Sequence, residues 1–96
     1  MIYICGPTSG LPGNNYDAFD QWASMLRASG YEVANPAENP ECPSWEHYMR
    51  LSMVQLAQCE GVALLSGWEK SRGASLEVCV ATQLGLESRP AGAGVC

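Results

Sequence analysis

The part of the chain that says most about its architecture is residues 62–77, VALLSGWEKSRGASLE. Its first four residues are apolar and indicate a buried strand, and a polar loop bounded by Gly67 and Gly73 follows. An apolar-periodic segment then predicts a helix whose first turns carry a carboxylate, Glu77. A hydroxyl, two cations and backbone N–H groups at a helix N-terminus suit an anion such as phosphate. A carboxylate beside them is a candidate nucleophile or base for a phosphorylated substrate.

The same order of strand, loop and helix occurs three times along the chain. Strands are predicted at residues 1–5, 31–34 and 61–66, and helices at residues 16–29, 45–58 and 73–84. This βαβαβα order predicts a three-layer, Rossmann-like (flavodoxin-like) α/β domain with a mostly parallel sheet and a central first strand. Residues 1–86 form that domain, and residues 87–96 lack periodicity and are predicted to be an irregular tail.

A parallel sheet would bring distant parts of the sequence together. In α/β units each helix begins at the carboxyl edge of the preceding strand, which is where ligands bind. Three segments meet there: the loop at residues 6–10, the start of the second helix at residues 45–52, and the start of the third at residues 71–77. The polar loop and its carboxylate therefore fall in a predicted binding site.

The composition narrows the classes of function. Ninety-six residues make one domain with a thin core, so self-association is expected. Ten acidic residues against five basic ones give a net charge of −5, which argues against binding a nucleic acid polymer. The longest apolar runs, of four or five residues, are too short for a membrane span, and no signal peptide is recognisable. A cytoplasmic location is predicted.

The cysteines and the single histidine do not form a metal-binding pattern. The count of five cysteines is odd, and no pair has C-x-x-C spacing. Cys5, Cys59 and Cys79 lie in apolar segments and are predicted to be small core residues. We therefore predict neither a metal site nor a cofactor.

Three collinear motifs carry a family resemblance: YICGP at residues 3–7, GYEVANPAE at residues 30–38, and GWEKSRGA at residues 67–74 followed by Glu77. Over residues 1–86 the chain resembles the nucleoside 2-deoxyribosyltransferase-like superfamily. Within it, the chain is most similar to a small domain of unknown function that is common in bacteriophages and prophages. For a phage-encoded chain, the predicted location is the host cytoplasm.

The resemblance implies an enzyme that hydrolyses or exchanges the N-glycosidic bond of 2′-deoxynucleosides or their 5′-monophosphates. Glu77 matches the glutamate that attacks the anomeric carbon in the superfamily. Ser71 matches the serine that binds phosphate in relatives that hydrolyse monophosphates. The first-strand tyrosine and the loop behind it line the pocket of relatives, and here they match Tyr3, Gly6, Pro7 and Ser9.

Further residues of the predicted site come from position alone. Arg72 and Gly73 adjoin Ser71 and extend the phosphate clamp, although the same residues suit a plain polar turn and helix cap. Trp68 follows the third strand and is predicted to stack on a base or to pack at a dimer interface.

A homodimer is predicted because relatives complete their sites across subunits. The chain also has more aromatic residues than one thin core needs, namely Tyr16, Trp45, Tyr48 and Trp68.

The chain departs from the superfamily pattern in a way that bears on turnover. Relatives usually carry one aspartate in the second helix and another at the start of the third strand, where this chain has Ser52 and Glu60. Serine cannot perform a carboxylate's proton transfer. The predicted tail also lacks the strand that relatives often add after the last helix. Two alternatives to the enzyme stay open: a nucleotide-binding module without turnover, and a phage-type interaction protein that keeps only the fold.

Overall fold

The computed structural model describes residues 1–8 and 10–91, in which a parallel sheet alternates with helices. The strands are β1 (Ile2–Cys5), β2 (Val33–Ala34), β3 (Gly61–Leu64) and β4 (Glu87–Pro90), and the helices are α1 (Tyr16–Ala28), α2 (Trp45–Ala57) and α3 (Arg72–Gln83). All strand pairs are parallel, and the strand order is β2-β1-β3-β4, a flavodoxin-like topology. The predicted fold class and the inner position of the first strand are confirmed.

Alternation along the two inner strands produces the three layers. Tyr3 and Cys5 of β1 pack in a cluster with residues of α2 and α3, whereas Ile4 packs with residues of α1. In β3 the neighbouring Val62 and Ala63 divide between the same two clusters. Successive strand residues point to opposite faces. One face is therefore covered by α1, and the other is covered by α2 and α3.

Local signals set where the helices begin and end. The hydroxyl of Ser44 accepts a hydrogen bond from the backbone N–H of His47 at the start of α2, at 3.1 Å. Ser71 does the same for the N–H of Ala74 at the start of α3, at 3.2 Å. These side chains satisfy N–H groups that have no partner within the helix. The segments that follow β2 and β3 therefore lead into helices with fixed N-termini.

The prediction that residues 87–96 form an irregular tail is wrong for residues 87–90. These residues form β4, which pairs with β3 so that Glu87 lies opposite Gly61 and Pro90 opposite Leu64. The strand escaped recognition because it is a largely exposed edge strand of polar residues, and such strands tolerate proline. The strand that was expected to be missing is thus present, and residues 92–96 lie outside the described residues.

The outer face of α3 also differs from expectation. Its apolar sequence predicted burial, and Cys5 and Cys59 are indeed buried elsewhere in the core, but Cys79 is exposed. Leu76 is exposed as well. The face of α3 that packs on the sheet holds Ala74, Glu77 and Ala81.

Among the residues that the structure describes, no helix is long and apolar enough to cross a membrane.

Candidate functional site

Glu77 is a buried carboxylate on the sheet-facing side of α3. It lies three residues after Ala74 and four before Ala81, so these residues share one helix face, and all three are buried. Only 6% of Glu77 is exposed. An acid that merely complements the helix dipole would lie on the solvent side, where its charge stays hydrated. The position of Glu77 therefore requires another explanation.

Two donors on β1 hold the carboxylate. The hydroxyl of Tyr3 donates to Oε2 of Glu77 at 2.5 Å, and the thiol of Cys5 donates to Oε1 at 3.5 Å. Tyr3 and Cys5 alternate along the strand, so both side chains point toward α3. Each carboxylate oxygen thus has its own donor, and the orientation of the carboxylate is fixed from behind.

Burial makes the charged form of each of these three groups less stable than it is in water. Burial raises the pKa of Glu77, and hydrogen bonds from Tyr3, Cys5 and Ser52 oppose part of that rise. Burial, followed by the charge of Glu77, raises the pKa of Tyr3 and of Cys5. Both residues therefore stay protonated and act as donors to Glu77 over the physiological range of pH.

Ser52 lies on α2 beside this group. The residue is fully buried, and its hydroxyl opposes part of the rise in the pKa of Tyr3, Tyr48 and Glu77. Its Oγ nevertheless has no partner in normal hydrogen-bond geometry among the described residues. Buried hydroxyl groups in proteins are usually paired. Ser52 therefore has hydrogen-bonding capacity to spare next to the carboxylate.

A cavity of about 710 Å³ lies in front of Glu77, at the carboxyl edge of the sheet. Its wall combines the loop after β1, the first turns of α2, and the loop from β3 into α3. These segments meet because Cys5 is paired with Leu64, so that β1 and β3 end together. This volume is in the range of pockets that hold small organic ligands.

Close backbone packing shapes the floor of the cavity. A Cβ atom on Gly6 would come within 2.7 Å of the Cβ atom of Leu65, a distance that real Cβ atoms do not tolerate. A Cβ atom on Gly73 would lie 3.2 Å from the sulfur of Met49. Glycine at these two positions lets the loop after β1 and the start of α3 approach their neighbours closely.

The start of α3 forms a cationic end of the cavity. The wall there includes Ser71, Arg72 and Gly73, together with Lys70 of the preceding turn. The guanidinium carbon of Arg72 lies 3.9 Å from the ring centre of Trp45, a cation–π contact between α3 and α2. This contact holds a cation beside the helix N-terminus, so the arrangement suits an anionic group.

Most, but not all, of the predicted site residues meet in this cavity. Gly6, Pro7, Ser71, Arg72, Gly73 and Glu77 line it. Tyr3 lies behind the wall and reaches the site through Glu77. Trp68 is not part of the wall. It is half-buried and packs against the core between the sheet and helices α2 and α3. Ser9 lies outside the described residues.

Several wall residues had not been predicted to belong to the site. Tyr16, Trp45 and Tyr48 line the cavity, whereas their aromatic character alone predicts a dimer interface. The available signal was the position of Trp45 and Tyr48 in the first turns of α2, a segment already predicted to reach the carboxyl edge.

Within residues 1–8 and 10–91, no group of three or more potential ligands could hold a metal ion.

Comparison with known proteins identifies a family for the chain, but no curated or structurally characterised relative. Residues 1–88 match the family described as a domain of unknown function, DUF4406. No curated protein and no solved structure gives a significant match to the chain. The matched span includes every element from β1 to the first half of β4.

Proposed function

Since the chain belongs to the DUF4406 family, whose function is unknown, we propose from its own site that it cleaves N-glycosidic bonds of 2′-deoxynucleosides or their 5′-monophosphates. The sugar passes to water or to a second base. One observation carries the proposal: the wall of a 710 Å³ cavity contains a buried carboxylate, Glu77, which the hydroxyl of Tyr3 holds in place.

The reaction explains why a carboxylate is placed there. Departure of the base develops positive charge at C1′ of the deoxyribose, and a carboxylate on the opposite face stabilises that charge or forms a covalent bond with the carbon. The donors Tyr3 and Cys5 fix both oxygens of Glu77, so it is oriented before the substrate arrives. Burial raises the pKa of Glu77, which destabilises the charged form and makes the ionised carboxylate a better nucleophile.

The opposite end of the cavity suits a 5′-phosphate. Ser71, Arg72 and Gly73 offer a hydroxyl, a guanidinium group and backbone N–H groups at the start of α3. The Oγ of Ser71 accepts a hydrogen bond from Ala74, which leaves its own proton available for a phosphate oxygen. In a chain with twice as many acids as bases, cations at the cavity are a specific feature.

The family resemblance supports the same function. The motifs around Tyr3 and Glu77 lie on β1 and α3, in the order that the nucleoside 2-deoxyribosyltransferase-like superfamily would have. We therefore propose membership of that superfamily, an origin in phages or prophages, and action in the cytoplasm. No separate cofactor enters the proposal.

We also propose a homodimer, but its interface involves other residues than those that the sequence suggested. Tyr16, Trp45 and Tyr48 line the cavity, so they no longer argue for an interface. Leu76 and Leu84, on the outer side and at the end of α3, are now the better candidates because they are large, apolar and exposed. Sedimentation equilibrium showing a monomer at high micromolar concentration would refute the dimer.

The competing proposal is a nucleotide-binding module without turnover. The observation that favours it is Ser52, a hydroxyl where a second carboxylate would be expected in an active relative. An interaction protein that keeps only the fold would need neither the oriented carboxylate nor the cationic end of the cavity.

The test is a chromatographic assay of base release from the common 2′-deoxynucleosides and their 5′-monophosphates. Wild-type protein should turn over at least one of them. Glu77→Gln should lower kcat by about 10³-fold or more, since it removes the attacking charge while keeping the size of the side chain. Glu69→Gln is the matched control, because Glu69 is exposed and lies outside the cavity wall.

The other outcomes separate the alternatives. Calorimetric binding of a monophosphate without base release would refute the enzyme and support the binding module. If neither binding nor turnover occurs with any of these compounds, the interaction protein becomes the better account.

A further inference from the structure

Cleavage of an N-glycosidic bond needs an acid as well as a nucleophile. Most bases leave poorly as anions, so a proton must reach the departing base. Among the described residues of the cavity wall, Glu77 is the only carboxyl group, and the single histidine of the chain, His47, is not part of the wall. If Glu77 attacks C1′, the proton has to come from a group of another type.

Tyr48 is the best placed of the remaining proton donors. It lies on α2, whereas Glu77 lies on α3, and both line the cavity. Burial, together with the charge of Glu77, raises the pKa of Tyr48 to about 12. The phenol is therefore protonated at neutral pH, and its proton is available in the cavity that both residues line.

The spare hydrogen-bonding capacity of Ser52 meets the need of this donor. Ser52 follows Tyr48 by four residues, so the two side chains lie on one face of α2. The Ser52 hydroxyl is fully buried, opposes part of the rise in the pKa of Tyr48, and has no partner in normal hydrogen-bond geometry among the described residues. A hydroxyl in that position can donate to the phenolate that remains after Tyr48 loses its proton.

Two other donors in the wall, Lys70 and Tyr16, are less suitable. Lys70 is exposed and lies at the cationic end of the cavity, where the proposed function places the phosphate. Tyr16 begins α1 and packs edge-on against Phe19, with ring centres 6.4 Å apart.

We propose that Tyr48 is the general acid of the reaction, donating its phenolic proton to the departing base while Ser52 stabilises the phenolate. The inference rests on the proposed function. A carboxylate oxygen of Glu77 forms a bond to C1′ as the C1′–N bond breaks, and the electron pair of that bond goes to the base. The base takes the proton of Tyr48. Water then attacks C1′, breaks its bond to Glu77 and returns a proton to Tyr48.

The experiment compares two leaving groups in one protein. The first substrate is 2′-deoxyguanosine 5′-monophosphate, and the second is its 7-methyl derivative, whose cationic base leaves without being protonated. If the wild type prefers pyrimidines, the pair is 2′-deoxyuridine 5′-monophosphate and its 5-fluoro derivative, whose base is the more acidic. Tyr48→Phe should lower kcat on the ordinary substrate by about 10²-fold or more.

On the 7-methyl substrate, Tyr48→Phe should lower kcat by several-fold at most. On the 5-fluoro substrate, its loss of kcat should be clearly smaller than on 2′-deoxyuridine 5′-monophosphate. Ser52→Ala should show the same selective loss to a smaller degree. Tyr31→Phe, which alters an exposed residue outside the cavity wall, is the matched control and should behave as wild type on both substrates. Calorimetric Kd values for the monophosphate product should be similar in all four proteins.

Equal losses on both substrates would overturn the role of Tyr48, because a binding or packing defect does not depend on the leaving group. Unchanged turnover of the ordinary substrate by Tyr48→Phe would overturn it as well. Either result leaves the proposed function standing, since it comes from a comparison with active wild-type protein. Wild-type protein that releases no base from these pairs or from any of the common 2′-deoxynucleosides and their 5′-monophosphates would refute the proposed function, and the inference with it.

Discussion

The hydroxyl of Tyr3 and the carboxylate of Glu77 meet at 2.5 Å although 74 positions separate them in sequence. One group belongs to the central strand and the other to the last helix, so the contact exists only when the sheet and α3 have packed. The hydrogen bond that orients Glu77 and the packing of α3 on the sheet therefore form together.

Removal of that contact should shift the pH dependence of activity. The Tyr3 hydrogen bond stabilises the charged form of Glu77, so Tyr3→Phe raises the pKa of the carboxyl group further. The acidic limb of the kcat/KM profile should move to higher pH, while the maximal rate falls less. A limb that stays in place, measured from pH 5 to 9, would show that Tyr3 has no influence on the reacting carboxylate.

The burial of Glu77 should also make stability depend on pH. Burial raises the folded-state pKa above the value near 4.3 expected of an exposed glutamate in the unfolded chain. Between those two values the folded protein holds more protons than the unfolded chain, so the free energy of unfolding falls as pH rises. Above the folded-state pKa the loss is complete.

Glu77→Gln should therefore be more stable than wild type at pH 8, and the difference should shrink as pH falls toward 5. Urea unfolding at several pH values measures it. The exposed Glu69→Gln serves as control and should stay within about 0.5 kcal/mol of wild type. A glutamine variant that is less stable than wild type at pH 8 contradicts the prediction.

Arg72 should distinguish monophosphates from nucleosides. Arg72→Ala is expected to weaken binding of a 2′-deoxynucleoside 5′-monophosphate by about 1.5 kcal/mol, roughly tenfold in Kd. Binding of the unphosphorylated nucleoside should change little. Trp45→Ala should cause part of the same loss, because the indole ring holds the guanidinium group in place.

Arg50→Ala gives the control for a general charge effect. Arg50 is exposed on α2 and does not line the cavity. Calorimetry with both ligands decides the matter: a loss that is equal for nucleoside and monophosphate would mean that Arg72 does not contact phosphate.

Glycine at position 6 should be necessary for stability. In Gly6→Ala the new methyl group meets the Cβ atom of Leu65 at 2.7 Å, and neither atom can rotate away. The resulting shift of the ends of β1 and β3 should cost about 1–3 kcal/mol in urea unfolding. Gly73→Ala should cost less, because its methyl group meets the flexible side chain of Met49 at 3.2 Å. Equal costs for the two variants would contradict this account.

The elements that sequence reasoning predicted are those with a strong local pattern. Apolar strands such as β1 and β3 and capped helices such as α3 carry their signal within about a dozen residues. β4 carries none, because its polar residues form a strand only when the edge of β3 is already in place. Its presence depends on partners that are distant in sequence.

The same distinction applies to the candidate site, where only residues with a clear local signal could be predicted from the sequence. Glu77 and the Ser71–Gly73 segment stood out because charged and small residues interrupt an apolar pattern. Tyr48 and Trp45 did not, because an aromatic residue on a helix looks alike whether it faces a core, a cavity or a second subunit. The placement of Trp68 against the core, rather than in the cavity wall, shows the same ambiguity.

The two donors that hold Glu77 also belong to the core, which has a consequence for how this family can diversify. Tyr3 and Cys5, which hold Glu77, are also members of the core between the sheet and its two helices. A substitution there changes folding and chemistry together, so few such changes can persist. Leu11 and Asn14 line the cavity from an exposed loop, where side chains contribute little to stability. New substrate preferences should therefore arise through that loop, while the carboxylate and its two donors pass unchanged from one specificity to the next.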